Sequence, residues 1–88
     1  MMNLQSVTDR LNALGFRKST VTKSYTGYDI IDFSKANKCM DMYSVYVNSD
    51  GLVEYVEFTK IKWNDKEKRN MPNVTKLYSL SQFPAVSR

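Results

Sequence analysis

Residues 41–62 read DMYSVYVNSDGLVEYVEFTKIK. Two runs rich in β-branched and aromatic residues flank Asn48-Ser49-Asp50-Gly51, and that combination predicts a β-hairpin at the centre of the fold. Two turns fit the string. With Asp50-Gly51 as a two-residue turn, Tyr46 faces Tyr55, Val45 faces Val56 and Tyr43 faces Phe58. With Ser49-Asp50-Gly51 as a three-residue loop and Gly51 left-handed, Val47 faces Val53, Val45 faces Tyr55, and Leu52, Val56 and Phe58 join Tyr46 on the other side. The loop residues favour the second arrangement, the segregation of apolar side chains favours the first, and a slip of one residue exchanges the faces of the whole second strand. In both, Tyr46 points away from Tyr43, Val45 and Val47. A helix resting on those three therefore leaves Tyr46 on the open face of the sheet.

Upstream of the hairpin, Leu4, Val7, Leu11 and Leu14 recur at helical spacing and predict an amphipathic helix from about Asn3 to Leu14, with Asn3 as its cap and Gly15 in the left-handed position after its end. Thr20, Val21, Thr22, Tyr25, Tyr28, Ile30, Ile31 and Phe33 then read as two short strands turning at Thr26-Gly27, or as one long strand with a glycine bulge. Residues 34–40 suit a loop. Beyond the hairpin comes a lysine-rich connection, and Pro72 is expected to end whatever precedes it. Residues 74–83 fit a short helix through positions 74, 77, 80 and 83 or an extended edge strand, the strand being preferred. The sum is an α+β class: an N-terminal helix packed on a small antiparallel sheet of three to five strands, residues 1–83 forming one domain and 84–88 a flexible tail.

The 88 residues are 42% apolar and 12% aromatic, enough for one modest core that dimerisation would reinforce. The single cysteine, Cys39, has no partner for an internal disulfide, no charged-then-apolar leader follows Met1, and no apolar run approaches the length of a bilayer, so a cytoplasmic protein off the membrane is expected. The net charge of +4 hides a division: residues 1–23 carry four cations and one acid, residues 24–58 two cations and six acids, and residues 59–88 seven cations and two acids. An acidic middle between basic ends can neutralise itself on folding, so the high pI by itself argues little for a polyanionic partner.

The chain has no histidine. That removes the commonest general base and metal ligand together with every Ser-His or Cys-His nucleophile. Asp29 with Asp32, or Glu54 with Glu57, could serve as paired carboxylates, yet residues three apart on a strand point to opposite faces and do not converge. Cys39, Met40 and Met42 read as small apolar residues entering a strand rather than as a soft metal site. No catalytic residue, metal site or cofactor is expected.

Two surfaces remain. The first is the open face, where Tyr46 and either Tyr55 or the Leu52, Val56 and Phe58 set, beside Glu54 or Glu57, would offer rigid anchors to a protein partner, unless the C-terminal segment covers them. The second is the basic segment Lys60, Lys62, Trp63, Lys66, Lys68 and Arg69, in which cations could meet phosphates while Trp63 stacks on a base; Trp63 folded back as a lid on the core is the bland alternative. Arg17, Lys18 and Lys23 would enlarge that patch if they lay on its side of the sheet. The function expected is a non-enzymatic, inhibitor- or modulator-type accessory module that engages a protein, with nucleic acid as the alternative partner and a homodimer as a further assembly. Small size, absent histidine and abundant Lys and Asn suit a phage or mobile-element origin.

Overall fold

The computed structural model describes residues 2–24, 26–35 and 41–86. Its central hairpin takes the loop and the first pair of the three-residue reading and then, beyond a bulge, the register of the two-residue reading. The expected pairing of Val45 with Tyr55, and of Val56 and Phe58 on the side of Tyr46, does not occur. Strands β4 (Met42–Val47) and β5 (Leu52–Asn64) are joined by a three-residue loop in which Gly51 has φ +79°, its N–H donates to Asn48 O at 3.0 Å, and the Asn48 N–H donates to Leu52 O at 2.9 Å. The Asn48 side chain secures the loop by accepting from the Asp50 and Leu52 N–H groups at 2.9 and 3.1 Å. Val47 consequently faces Val53. Glu54 is then left without an opposite number, and the ladder resumes with Tyr46 facing Tyr55, Val45 facing Val56 and Tyr43 facing Phe58. A β-bulge at Glu54 thus absorbs the extra loop residue, so the turn chemistry and the apolar segregation are both met.

Strands β2 (Arg17–Lys23) and β3 (Asp29–Ser34) form a second hairpin, not one long strand. Its turn repeats the first: the Gly27 N–H donates to Ser24 O at 3.1 Å, the Ser24 N–H to Tyr28 O at 2.7 Å, and Gly27 has φ +94°. β3 pairs with β4, and on the far side of β5 two strands share one edge: β1 (Met2–Asn3) pairs with its first two residues, β6 (Arg69–Leu77) with Val56 onward. The antiparallel sheet therefore has six strands in the order β2-β3-β4-β5, then β1 and β6 side by side, larger than the three to five expected from the sequence.

Part of that enlargement corrects the reading of the C-terminal third. β5 runs beyond Lys62 to Asn64, the connection shrinks to residues 65–68 with Lys68 left-handed at φ +55°, and β6 passes through Pro72 instead of stopping there. The proline is tolerated because β6 is an edge strand, where a missing N–H removes no ladder bond on the unpaired side. The preferred strand for residues 74–83 holds as far as Leu77; a short 3₁₀ helix, Leu80–Gln82, takes the remainder. Cys39 and Met40 lie outside the described residues, as does most of the loop expected at 34–40.

Helix α1 (Leu4–Ala13) is capped by the Asn3 carboxamide oxygen, which accepts from the Gln5 and Ser6 N–H groups at 2.8 and 3.2 Å, and Gly15 follows with φ +95°. Val7 and Leu11 on its inner stripe are fully buried against one face of the sheet, in a cluster with Phe33, Tyr43, Val45, Val47, Val53 and Val56. Each such side chain contributes about 1.5–3 kcal/mol by leaving water. The C-terminal segment packs on the same face: Phe83 stacks on Tyr43 with centroids 5.9 Å apart, and the Arg10 guanidinium reaches Leu80 O and Pro84 O at 3.5 and 3.4 Å. Helix and C-terminal segment thus leave the other face of the sheet uncovered by any element among the described residues.

Candidate protein-binding face and basic arm

Register assembles the uncovered face into two rows running across the strands. One is aromatic and apolar: Thr22, Ile30, Tyr46 and Tyr55 are successive cross-strand neighbours, and Tyr78, just past β6, lies against Tyr55. The other is polar: Thr20, Asp32, Ser44, Glu57 and Lys76. Tyr46 and Tyr55 stack with centroids 4.5 Å apart and planes at 17°, Tyr28 meets Tyr46 edge-on at 6.3 Å, and Tyr78 approaches Tyr55 at 6.1 Å. Four tyrosines thereby form a continuous band. Offset and edge-on contacts of this sort hold rings in place, so the band is presented with little rotamer freedom left to lose.

The carboxylates on this face are bonded to hydroxyl groups. Asp32 accepts from Ser44 Oγ at 2.8 Å and Thr20 Oγ1 at 3.0 Å, Glu54 accepts from Tyr28 Oη at 2.8 Å, and Glu57 accepts from the Tyr46 hydroxyl. Donation to an ionised acceptor favours the neutral phenol, so these bonds push Tyr46 strongly and Tyr28 also above the ordinary tyrosine range, with burial and the carboxylate charge adding to the effect. Lys76 Nζ sits 5.0 Å from the centroid of the Tyr55 ring, the placement of a cation–π contact.

The structure therefore brings Tyr46, Tyr55, Glu54 and Glu57 to one face. This corrects the inference that Glu54 and Glu57 must diverge. Strand alternation would separate them, but the bulge turns Glu54 to the side of Tyr55, where Tyr28 reaches it. Asp29 and Asp32 do diverge, facing Val47 and Ser44 respectively. The C-terminal segment, one cover that the sequence allows, adds Tyr78 to the band and then turns to the opposite face through Phe83. Sequence reading missed Tyr28, Tyr78, Asp32 and Lys76, since each joins the face only through the register of a neighbouring strand, and it passed over Ser44, which alternation on β4 already sets beside Tyr46.

The basic segment forms a projecting arm. β4 pairs with β5 only as far as Thr59, so residues 60–64 of β5 and 69–73 of β6 make a two-stranded ribbon beyond the main sheet. Lys60 and Lys62 share one side with Arg69, whose partner is Asn64; Trp63 and Ile61 occupy the other. Lys66 and Lys68 sit in the turn. Trp63 is 59% exposed and its indole N–H donates to Asp65 Oδ1 at 2.9 Å, so it is no lid on the core. Arg17, Lys18 and Lys23 lie on β2, at the far edge of the sheet from β6, and do not enlarge this patch.

No family model, no curated protein and no solved structure matches the chain. Among the described residues no helix is long and apolar enough to cross a membrane, and no three His, Cys, Asp or Glu side chains gather as a metal site would require.

Proposed function

We propose that this chain is a non-enzymatic, cytoplasmic binding module, an inhibitor- or modulator-type accessory protein, that engages a protein partner through the uncovered sheet face. The single observation that carries the reading is the tyrosine band Tyr28, Tyr46, Tyr55 and Tyr78 on a face that neither α1 nor the C-terminal segment covers. Ordered tyrosines on a sheet bury large area at small entropic cost, which is why they recur as interface anchors. Asp32, Glu54 and Glu57 add negative charge around the rings, so the partner surface that complements them carries arginine or lysine. Lys76 over Tyr55 is an intramolecular example of that recognition.

A second reading, nucleic-acid binding, is favoured by the arm, because a two-stranded ribbon bearing Lys60, Lys62, Lys66, Lys68 and Arg69 has dimensions suited to a major groove. The separation of Trp63 from Lys60 and Lys62 onto opposite sides weakens the phosphate-plus-stacking combination, and this ranks it second.

The test is affinity capture from lysate with and without nuclease treatment, using the wild type, Tyr46→Ala with Tyr55→Ala, and Lys62→Glu with Lys68→Glu, the fold of each being checked by circular dichroism. The protein reading expects loss of the captured partner with the tyrosine variant and retention with the charge variant. Recovery that nuclease abolishes, and that only the lysine variant impairs, would transfer the function to the arm.

A further inference from the structure

The edge opposite the arm carries its own features. All seven residues of β2 are exposed, and among the described residues β2 pairs only with β3, so its outer side presents a row of backbone N–H and C=O groups that no other described strand pairs. Its charged residues, Arg17, Lys18 and Lys23, are all basic. Beside it α1 stops short of covering the sheet, leaving a groove of about 400 Å³ walled by Leu4, Thr8, Ile31 and Phe33, with Arg17 and Lys18 at its side. Arg17 is held there: its Nη1 donates to Asn12 O at 2.9 Å and Phe16 O at 3.0 Å. A guanidinium has five N–H donors, so these two bonds fix its position and leave others for an acidic ligand. Val21, 55% exposed and opposite Ile31, continues the apolar surface to the strand's edge.

We infer that β2 accepts an extended acidic peptide by strand addition, with an alternate apolar side chain of the peptide entering the groove between α1 and β2 and its carboxylates facing Arg17, Lys18 and Lys23. Strand addition supplies affinity through main-chain bonds and selectivity through every second side chain. A second copy of this chain fits worse in the register that pairs the whole strand. Antiparallel self-pairing centred on Thr20 would set Arg17 of each copy against Lys23 of the other, placing like charges directly opposite. The same cations that oppose self-pairing select an acidic strand. This surface is separate from the tyrosine band and stands or falls independently of it.

The experiment titrates the full chain with the capped peptide Glu-Thr-Ile-Glu-Ile-Thr-Glu, followed by two-dimensional amide NMR and hydrogen exchange, with a peptide in which lysine replaces each glutamate as control. Expected are shifts and slowed exchange along Arg17–Lys23, with further shifts at Leu4, Thr8 and Ile31. The lysine peptide should bind weaker by about tenfold or more, as two or three cross-strand charge pairs imply. The variant Lys18→Glu with Lys23→Glu keeps two exposed positions on the surface and should invert the preference. Equal binding of the two peptides, shifts centred on Tyr46 and Tyr55, no response at millimolar peptide, or exchange along β2 already slowed by self-association would each overturn the inference.

Discussion

The bulge at Glu54 makes two single-residue deletions, three positions apart, differ sharply in cost. Removing Glu54 takes out the one residue of β5 that has no opposite number. Val47 can still face Val53 and Tyr46 can still face Tyr55, so every core and surface position keeps its side. What is lost is the hydrogen bonding of Glu54 to Tyr28 and Asn48, about 1–2 kcal/mol for two partly exposed side-chain bonds. Removing Glu57 has no such repair. The least disruptive response spends the bulge, pairing Glu54 with Tyr46, and thereby turns the fully buried Val56 outward and Tyr55 into the core against Val45. Exposing the valine costs about 1.5–3 kcal/mol and burying an unmatched phenol about 1–3 more, together about 3–6 kcal/mol. The whole domain, at roughly 0.05–0.15 kcal/mol per residue, holds only about 4–13 kcal/mol. Urea unfolding followed by far-UV circular dichroism measures the difference. With a slope of about 1 kcal/mol per molar, deletion of Glu54 should lower the midpoint by about 1–2 M, and deletion of Glu57 by about 3 M or more, which at the low end of that stability range leaves the chain largely unfolded. Equal losses, or a greater loss for Glu54, would refute the assignment of the bulge and with it the placement of Glu54 on the tyrosine face.

Tyr46, held neutral by its bond to Glu57, has a folded-state pKa above its unfolded value, so its contribution is fully present below about pH 10 and is lost as pH rises beyond it. Above pH 10 the wild type should therefore lose stability more steeply than Tyr46→Phe, by at most about 1.4 kcal/mol per pH unit, in urea midpoints collected from pH 7 to 11; parallel slopes would contradict the bond. A Cβ on Gly27 or Gly51 meets no atom within 4 Å, so the cost of Gly27→Ala or Gly51→Ala is conformational, about 1 kcal/mol and several degrees in Tm, and Gly51→Asn should cost less because asparagine tolerates positive φ. Phe83→Ala removes the ring stacked on Tyr43 and should destabilise by about 3 kcal/mol in urea titrations, while leaving partner capture by the folded fraction unchanged because Phe83 lies on the other face.

What could be read from the sequence was what adjacent residues decide among themselves. The α1 cap needs only Asn3 and the N–H groups two and three residues on; the left-handed turn needs only Gly51; the inward side of β4 follows from the alternation of Tyr43, Val45 and Val47. The bulge lay between two such rules. Loop chemistry demanded one register and apolar segregation another, and an unpaired residue is the way a strand obeys both, so their conflict at residues 48–55 was itself the available signal. The route of β6 was hidden for a different reason. Pro72 breaks a central strand but is tolerated at an edge, and whether a strand is an edge is a property of the finished sheet. Tyr28 and Tyr78 were invisible for a related one, since each joins the band through a neighbour distant in sequence.

The charge pattern also changes meaning between chain and fold. An acidic middle between basic ends allows mutual neutralisation, yet the sheet order keeps the signs largely apart. The strands at the two edges carry the cations, Arg17, Lys18 and Lys23 on β2 and the arm of β5 and β6 with Lys60, Lys62 and Arg69, while Asp32, Glu54 and Glu57 occupy the interior of the open face. Among the described residues, only at Lys23 opposite Asp29 and Lys76 opposite Glu57 does the register set an acid against a base. Over a sheet whose edges are separated by more than a Debye length of about 8 Å, such regions act on their surroundings independently. One small domain then carries an acidic aromatic face and two basic edges, and charge at either edge discourages the edge-to-edge pairing that an open sheet otherwise invites.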